Sequence, residues 1–310
     1  MGEHNIRNGA IIIRSGKRHF YWGDQFWGNW DKAMRWFADN SELIGARGTE
    51  IPDMLFFGGI IVSPDMETEL NKRIKAIKSK YGPIRAPIKW NFKDLKLHYE
   101  KLDKAELYSK LLASSKEWRT EIFESVKDIE FTIVIAFVQS HSIKTTTIRG
   151  VKPDLTRYVF SNGLMRVALH AKETKSDECE IVLDWPDKSD PKPFNEEYES
   201  AYNSGCTSEG NVPYHSGPLK LLGFRDSVLF TPMLRCAPLQ FADLVLGACR
   251  EFIECSIGKK ETGFGADLTK IIARRYRGYK GNIYGRGISV ASGDSAFKAK
   301  VKTYINTELA

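Results

Sequence analysis

Two aspartates stand out because nearly everything around them is apolar. Residues 237–249 read Ala-Pro-Leu-Gln-Phe-Ala-Asp-Leu-Val-Leu-Gly-Ala-Cys, and only Gln240 and Asp243 are polar. Three positions apart, these two share one face of a helix. A carboxylate in such surroundings loses hydration and is costly unless cations or donors compensate it. A structural Asp bonded to a backbone group or an Arg would meet that need; a metal-binding or catalytic role would meet it too. Residues 180–184, Glu-Ile-Val-Leu-Asp, form an apolar strand that ends in Asp184. In open α/β sheets, sites are built at the carboxyl ends of strands. The plainer alternative for Asp184 is a turn former ahead of Trp185 and Pro186.

Carboxylates from distant segments of a basic chain suit hard divalent cations such as Mg²⁺ or Mn²⁺. Such ions can activate water and stabilise the leaving oxygen in phosphodiester cleavage. Two acids leave room for a third, and Asp24, after the aromatic Phe20-Tyr-Trp run, is the best early candidate; Asp31, Glu50 and Asp53 lie nearby. The metal set expected on this reading is Asp24, Asp184 and Asp243. The charge balance points to an anionic partner: 46 basic against 39 acidic residues leave +7. From Leu268 to Gly293 there is no Asp or Glu, while Lys270, Arg274, Arg275, Arg277, Lys280 and Arg286 are basic. Tyr276, Tyr279 and Tyr284 are interleaved with glycines there. Cations neutralise phosphates and tyrosines stack on bases, so Arg274, Arg275, Arg277, Lys280, Tyr276 and Tyr279 are expected to contact nucleic acid. A solvated basic helix running into a Gly-rich loop is the competing reading.

The elements that must position these residues alternate between buried strands and amphipathic helices. The first fifty residues are the hardest to read: His19–Phe26 reads as a strand and Trp30–Asp39 as a short helix. Trp22, Trp27, Trp30 and Trp36 fall here, as a local core, a docking face for a protein partner, or a base-stacking surface. Leu55–Val62 is a continuous apolar run of strand length. Ser63 then caps a helix with Pro64 at its first position and Asp65 and Glu67 in its first turn, ending at Gly82–Pro83. The spacing predicts a helix over Lys104–Lys127, a strand over Ile129–Val138, a loop over Gln139–Lys152, a helix over Leu155–Lys172 and a strand over Cys179–Asp184. A short helix near Glu196–Tyr202, a strand or hairpin over Leu219–Thr231, an apolar helix over Pro238–Ile257 and a basic helix over Asp267–Tyr276 complete the pattern. Together they argue an α/β sandwich around a mixed sheet.

Composition removes other classes. At 310 residues and 42% hydrophobic, the chain can bury a large core, which excludes disorder and a disulfide-stapled mini-protein. The longest apolar runs fall well short of the roughly 20 residues of a membrane span, and the polar start does not read as a signal peptide. Cys179, Cys206, Cys236, Cys249 and Cys255 show no Cys-x-x-Cys spacing, which argues against structural zinc and for reduced thiols in a cytoplasmic protein. Gly263-Phe-Gly265 lacks a preceding strand, which argues against a dinucleotide fingerprint.

Residues 55–96 and 155–249 resemble the large, mostly prokaryotic family catalogued as domain of unknown function 3800. The resemblance rests on Phe57-Gly-Gly-Ile-Ile-Val62, Pro87-Ile-Lys-Trp90, Ile181-Val-Leu-Asp184 and Leu239-Gln-Phe-Ala-Asp243, with Tyr158 and Phe230-Thr-Pro in matching order. It implies a ribonuclease H-like mixed sheet flanked by helices, formed by residues 1–310 as one domain. An aromatic-rich N-terminal elaboration (about 1–53) and a basic C-terminal extension (about 265–310) would flank the core. It further implies a metal-dependent nuclease with Asp24, Lys89, Asp184 and Asp243 at its site, Lys89 meeting a phosphate or balancing the carboxylates. The family's opening Asp-Glu-Ser-Gly is missing: Trp22-Gly-Asp-Gln-Phe26 is the nearest substitute, and Pro87 stands where the family places a Glu before the lysine. The missing Asp-Glu-Ser-Gly and the tryptophan-rich N-terminus favour the alternative, a non-cleaving subunit that binds nucleic acid or protein in a prokaryotic defence or mobile-element assembly.

Overall fold

The computed structural model describes residues 11–14, 17–20, 32–45, 52–139, 148–184 and 190–309. Strands β1 (Ile11–Arg14) and β2 (Lys17–Phe20) form a two-stranded antiparallel sheet. The main sheet is mixed. It holds β3 (Ala33–Leu43), β4 (Met54–Val62), β5 (Thr132–Gln139), β6 (Glu178–Asp184), β7 (Leu229–Thr231) and β8 (Ile288–Ala291), in the order β7-β6-β3-β4-β5-β8. β4 runs against β3 and β5, whereas β3 with β6, β6 with β7, and β5 with β8 are parallel. β4 is buried along its whole length, as its unbroken apolar run requires of a central strand.

Helices cover both faces. On one face lie α1 (Pro64–Tyr81), α4 (Ser115–Val126) and α7 (Ala237–Ser256), with α2 (Lys96–Lys101), α3 (Ala105–Ala113), α8 (Phe264–Ile271) and α9 (Ser295–Glu308) around them. On the other lie α5 (Ile148–Thr174) and α6 (Lys192–Ser204). Period-two alternation in β3 divides its side chains between these layers. Trp36 and Ala38 enter the α5 side, whereas Phe37 enters the α7 side. α7 packs on β3 and β4 tightly over Gly59, where an added Cβ would lie 2.1 Å from the Phe37 carbonyl oxygen and 2.9 Å from the Ala242 Cβ.

Several sequence expectations need correction. Where a helix was expected over Trp30–Asp39, Ala33–Asp39 instead belongs to β3, because Trp36, Phe37 and Ala38 are buried between the two helical layers, and that burial outweighs local helix preference. β3 sits mid-sheet, so part of the expected N-terminal elaboration belongs to the core. Lys104–Lys127 divides into α3 and α4 at Ser114, whose hydroxyl bonds back to the Lys110 carbonyl at 2.9 Å. Leu219–Thr231 is a 3-10 turn followed by the short β7, which pairs parallel with β6 and so forms no hairpin with it. The basic helix stops at Ile271, leaving Arg274, Arg275 and Arg277 beyond it, and β8 and α9 follow where only a basic extension was expected. Among the described residues no helix is long and apolar enough to cross a membrane.

Candidate functional site

The carboxyl end of β6 brings Asp184 into line with β3. Ala38 pairs with Leu183, so the next register position sets Asp39 beside Asp184 on parallel strands about 4.8 Å apart. Both alternate onto the α7 face, following Phe37 and Val182. α7 then supplies Asp243 from a stretch, Pro238–Cys249, that is buried on every side. Asp39 and Asp243 are each 7% exposed.

A short network holds the acids. Asp39 Oδ1 accepts from the Asn40 N–H at 2.7 Å, Asp184 Oδ1 from the Met233 N–H at 2.7 Å, and Asp243 Oδ2 from the Trp90 N–H at 2.5 Å. The Gln240 amide donates to the Met233 and Leu234 carbonyls at 3.0 Å and accepts from the buried Lys78 ammonium at 2.9 Å. Gln240 thus fixes the turn that presents the Met233 N–H to Asp184. Trp90 packs against Gly247 of α7, where an added Cβ would fall 2.0 Å from the indole Cγ. Arg119 donates to the Lys89 and Trp90 carbonyls, and its guanidinium lies 4.8 Å from the Trp90 ring. Arg250 ties α7 to the end of β3 through the Ser41 hydroxyl and the Glu42 carbonyl.

The electrostatics are unbalanced. Burial pushes the Asp39 carboxyl up to about 8, and the Asp243 and Asp184 charges push it further than Lys89 and the Asn40 N–H can offset. Burial likewise raises Asp243 to about 6, against Lys89, the Trp90 N–H, Arg250 and Arg119. Burial works against the charge on Lys89, but Asp243, Asp39, Asp94 and Asp184 outweigh it and hold the ammonium above its ordinary value. Near neutral pH the buried pair Asp39 and Asp243 therefore retains a proton that two isolated carboxylates would have released. Among the described residues, no three His, Cys, Asp or Glu side chains are grouped closely enough to enclose a metal ion.

Of the residues expected from sequence, Asp184 and Asp243 each come within electrostatic reach of Lys89, and Asp24 lies outside the described residues. Asp39 was missed. Its signal was Asp39-Asn-Ser-Glu42 following the apolar Trp36-Phe-Ala38, obscured by reading that stretch as helix. The basic segment lies elsewhere, at the opposite edge of the sheet, beside the start of β5. Tyr276, expected to stack on bases, is instead buried at 2% exposure, because its ring fills the core beside that strand. Arg277 is buried too and pairs with Glu173 at 2.8 Å, and Arg275 donates to the Lys127 carbonyl. Arg274 and Lys280 are exposed and Tyr279 is half-buried. Trp36 is core, while Trp22, Trp27 and Trp30 lie outside the described residues. All five cysteines are free thiols.

The chain matches no protein-family model, no curated protein and no solved structure.

Proposed function

We propose that the chain is a metal-dependent nuclease that cleaves phosphodiesters on a ribonuclease H-like sheet. The observation that carries the reading is the convergence of Asp39, Asp184 and Asp243 from three separate elements beside Lys89, with two of the acids buried and held above the usual carboxylate range. A fold does not ordinarily collect like charges without a compensating cation. The strand order agrees with the proposed fold. β3, β4 and β5 form a meander with its middle strand reversed, and β6 and β7 extend it in parallel on the other side. Asp39-Asn-Ser also fits the family's opening Asp-Glu-Ser better than Asp24 does, keeping the first acid and replacing the second by Asn.

The donor set is all oxygen, which suits Mg²⁺ or Mn²⁺, and Asp39, Asp184 and Asp243 are the residues that would hold the ion. Bound there, a divalent cation supplies charge neutralisation and an activated water for attack on phosphorus. The chain's own groups do the rest. Lys89 presents an ammonium that stays charged and can meet a phosphate oxygen. The Trp90 N–H fixes the direction of the Asp243 carboxylate, and Arg119 and Gly247 fix Trp90. Gln240, through Met233, does the same for Asp184.

A second reading, a relative that binds nucleic acid or protein without cleaving, draws on Asn40, on Pro87, and on the lack of a closed three-residue metal group among the described residues. Asp243→Asn separates the two. It keeps size and hydrogen bonding but removes charge, so Mg²⁺- or Mn²⁺-stimulated cleavage of labelled DNA or RNA should vanish while nucleic-acid binding persists. A wild type that cleaves none of these substrates, and gains no thermal stability from Mn²⁺, would defeat the nuclease reading.

A further inference from the structure

The edge of the sheet opposite the carboxylates carries a cleft of about 680 Å³. It opens between the start of β3, the end of β4, the start of β5, the last turns of α5 and residues 274–279. That volume falls within the range of sites for small ligands and cofactors. Four cations line it, Lys32, Arg274, Arg275 and Arg277, against two acids, Glu130 and Glu173. Their engagements differ. Arg277 is taken by Glu173, although its buried Nε has no partner among the described residues. Arg275 is held by the Lys127 carbonyl and packs 5.8 Å from the Phe131 ring. Lys32 has only a loose, solvent-exposed contact with Asp177 at 3.7 Å. Arg274 is exposed and has no partner among the described residues. Two cations are thus free to turn toward a ligand, over walls that include the apolar Met34 and Ile61 and the half-buried Tyr279.

We propose that this cleft binds a phosphate-bearing nucleotide unit, with Lys32 and Arg274 on the phosphate and Tyr279 against the base. A compact inorganic anion would use the cations but leave the apolar walls wet, whereas a nucleotide satisfies both. The site is separate from the carboxylates: from Ala33 to Asp39, β3 alone spans about 20 Å. The unit is either a free nucleotide or one residue of a strand that continues past the protein. The inference does not depend on cleavage.

The test is fluorescence anisotropy in EDTA with two probes, a labelled ADP and a labelled oligodeoxythymidine. Binding of both probes identifies a nucleotide pocket; binding of the oligonucleotide alone identifies a passing strand. In either case Lys32→Ala/Arg274→Ala should weaken binding at least tenfold. For the oligonucleotide it should also flatten the slope of log affinity against log salt by about 0.7, the value for one single-strand phosphate. Asp243→Asn should bind like the wild type, so lost cleavage with intact binding tests the carboxylate site alone. Equal affinity and salt slope for the wild type and the double variant, or no binding of either probe by the wild type, would overturn the proposal. Both substituted residues are solvent-exposed, and unchanged melting curves would verify that the variants fold.

Discussion

Replacing Asp39 with Asn should stabilise the metal-free protein near neutral pH, and the structure sets the size of the effect. An ordinary aspartate titrates at 3.8, whereas burial and two neighbouring acids push Asp39 up to about 8. Below 3.8 the group is protonated in both the folded and unfolded states and costs nothing. Above it the unfolded chain ionises while the folded one keeps its proton, so stability falls as pH rises, until the folded group also ionises near 8. At about 1.4 kcal/mol per pH unit, the cost at pH 7 is on the order of 4 kcal/mol. Asn has no proton to lose, and its side-chain oxygen can still accept from the Asn40 N–H. For a domain of this size that corresponds to a rise in Tm on the order of 5 °C at pH 7, shrinking toward zero at pH 4. Thermal melting in EDTA across pH 4–8 measures it. An Asn variant less stable than wild type at pH 7, or a difference that does not change with pH, would show that Asp39 carries no such burial cost.

Gly247→Ala places a methyl group 2.0 Å from Trp90 Cγ, displacing the indole and with it the N–H that holds Asp243. It should cost about 1–3 kcal/mol in urea unfolding and reduce any metal-stimulated activity further than stability alone accounts for. Lys78→Met removes the donor to the Gln240 side-chain oxygen and also the desolvation cost of the buried ammonium, so the cost of the bare acceptor, about 1–3 kcal/mol, should show in full only toward pH 10.5. Burial lowers the Lys78 ammonium to about 8, so in the wild type its share of stability should rise as pH climbs from about 8 toward 10.5. Urea titrations of wild type and the Lys78→Met variant across that range should show this rise in the wild type only.

Much of the scaffold was legible because burial leaves a mark on sequence. β4, β6 and α7 are continuous or helically spaced apolar segments, and an aspartate at the end or on the face of one is conspicuous. Asp39 was obscured because Ala33–Ala38 has no run of β-branched residues to declare a strand, and Asp-Asn-Ser after it reads as a turn. Only pairing with β4 and β6 fixes its alternation. In the basic segment the charge was legible but the burial was not. Tyr276 and Arg277 follow a 3-10 turn and join the edge of β5 by an isolated bridge, a contact that local pattern does not encode.

The proposed function requires Asp39, Asp184 and Asp243 to hold a divalent cation together. A crystal structure of the protein soaked in Mn²⁺, with anomalous data collected, tests it most directly. An anomalous peak is expected within coordination distance of Asp39, Asp184 and Asp243, with Lys89 beside it. A fully soaked crystal with no peak there, and with the three carboxylates facing only Lys89 and their backbone donors, would contradict it.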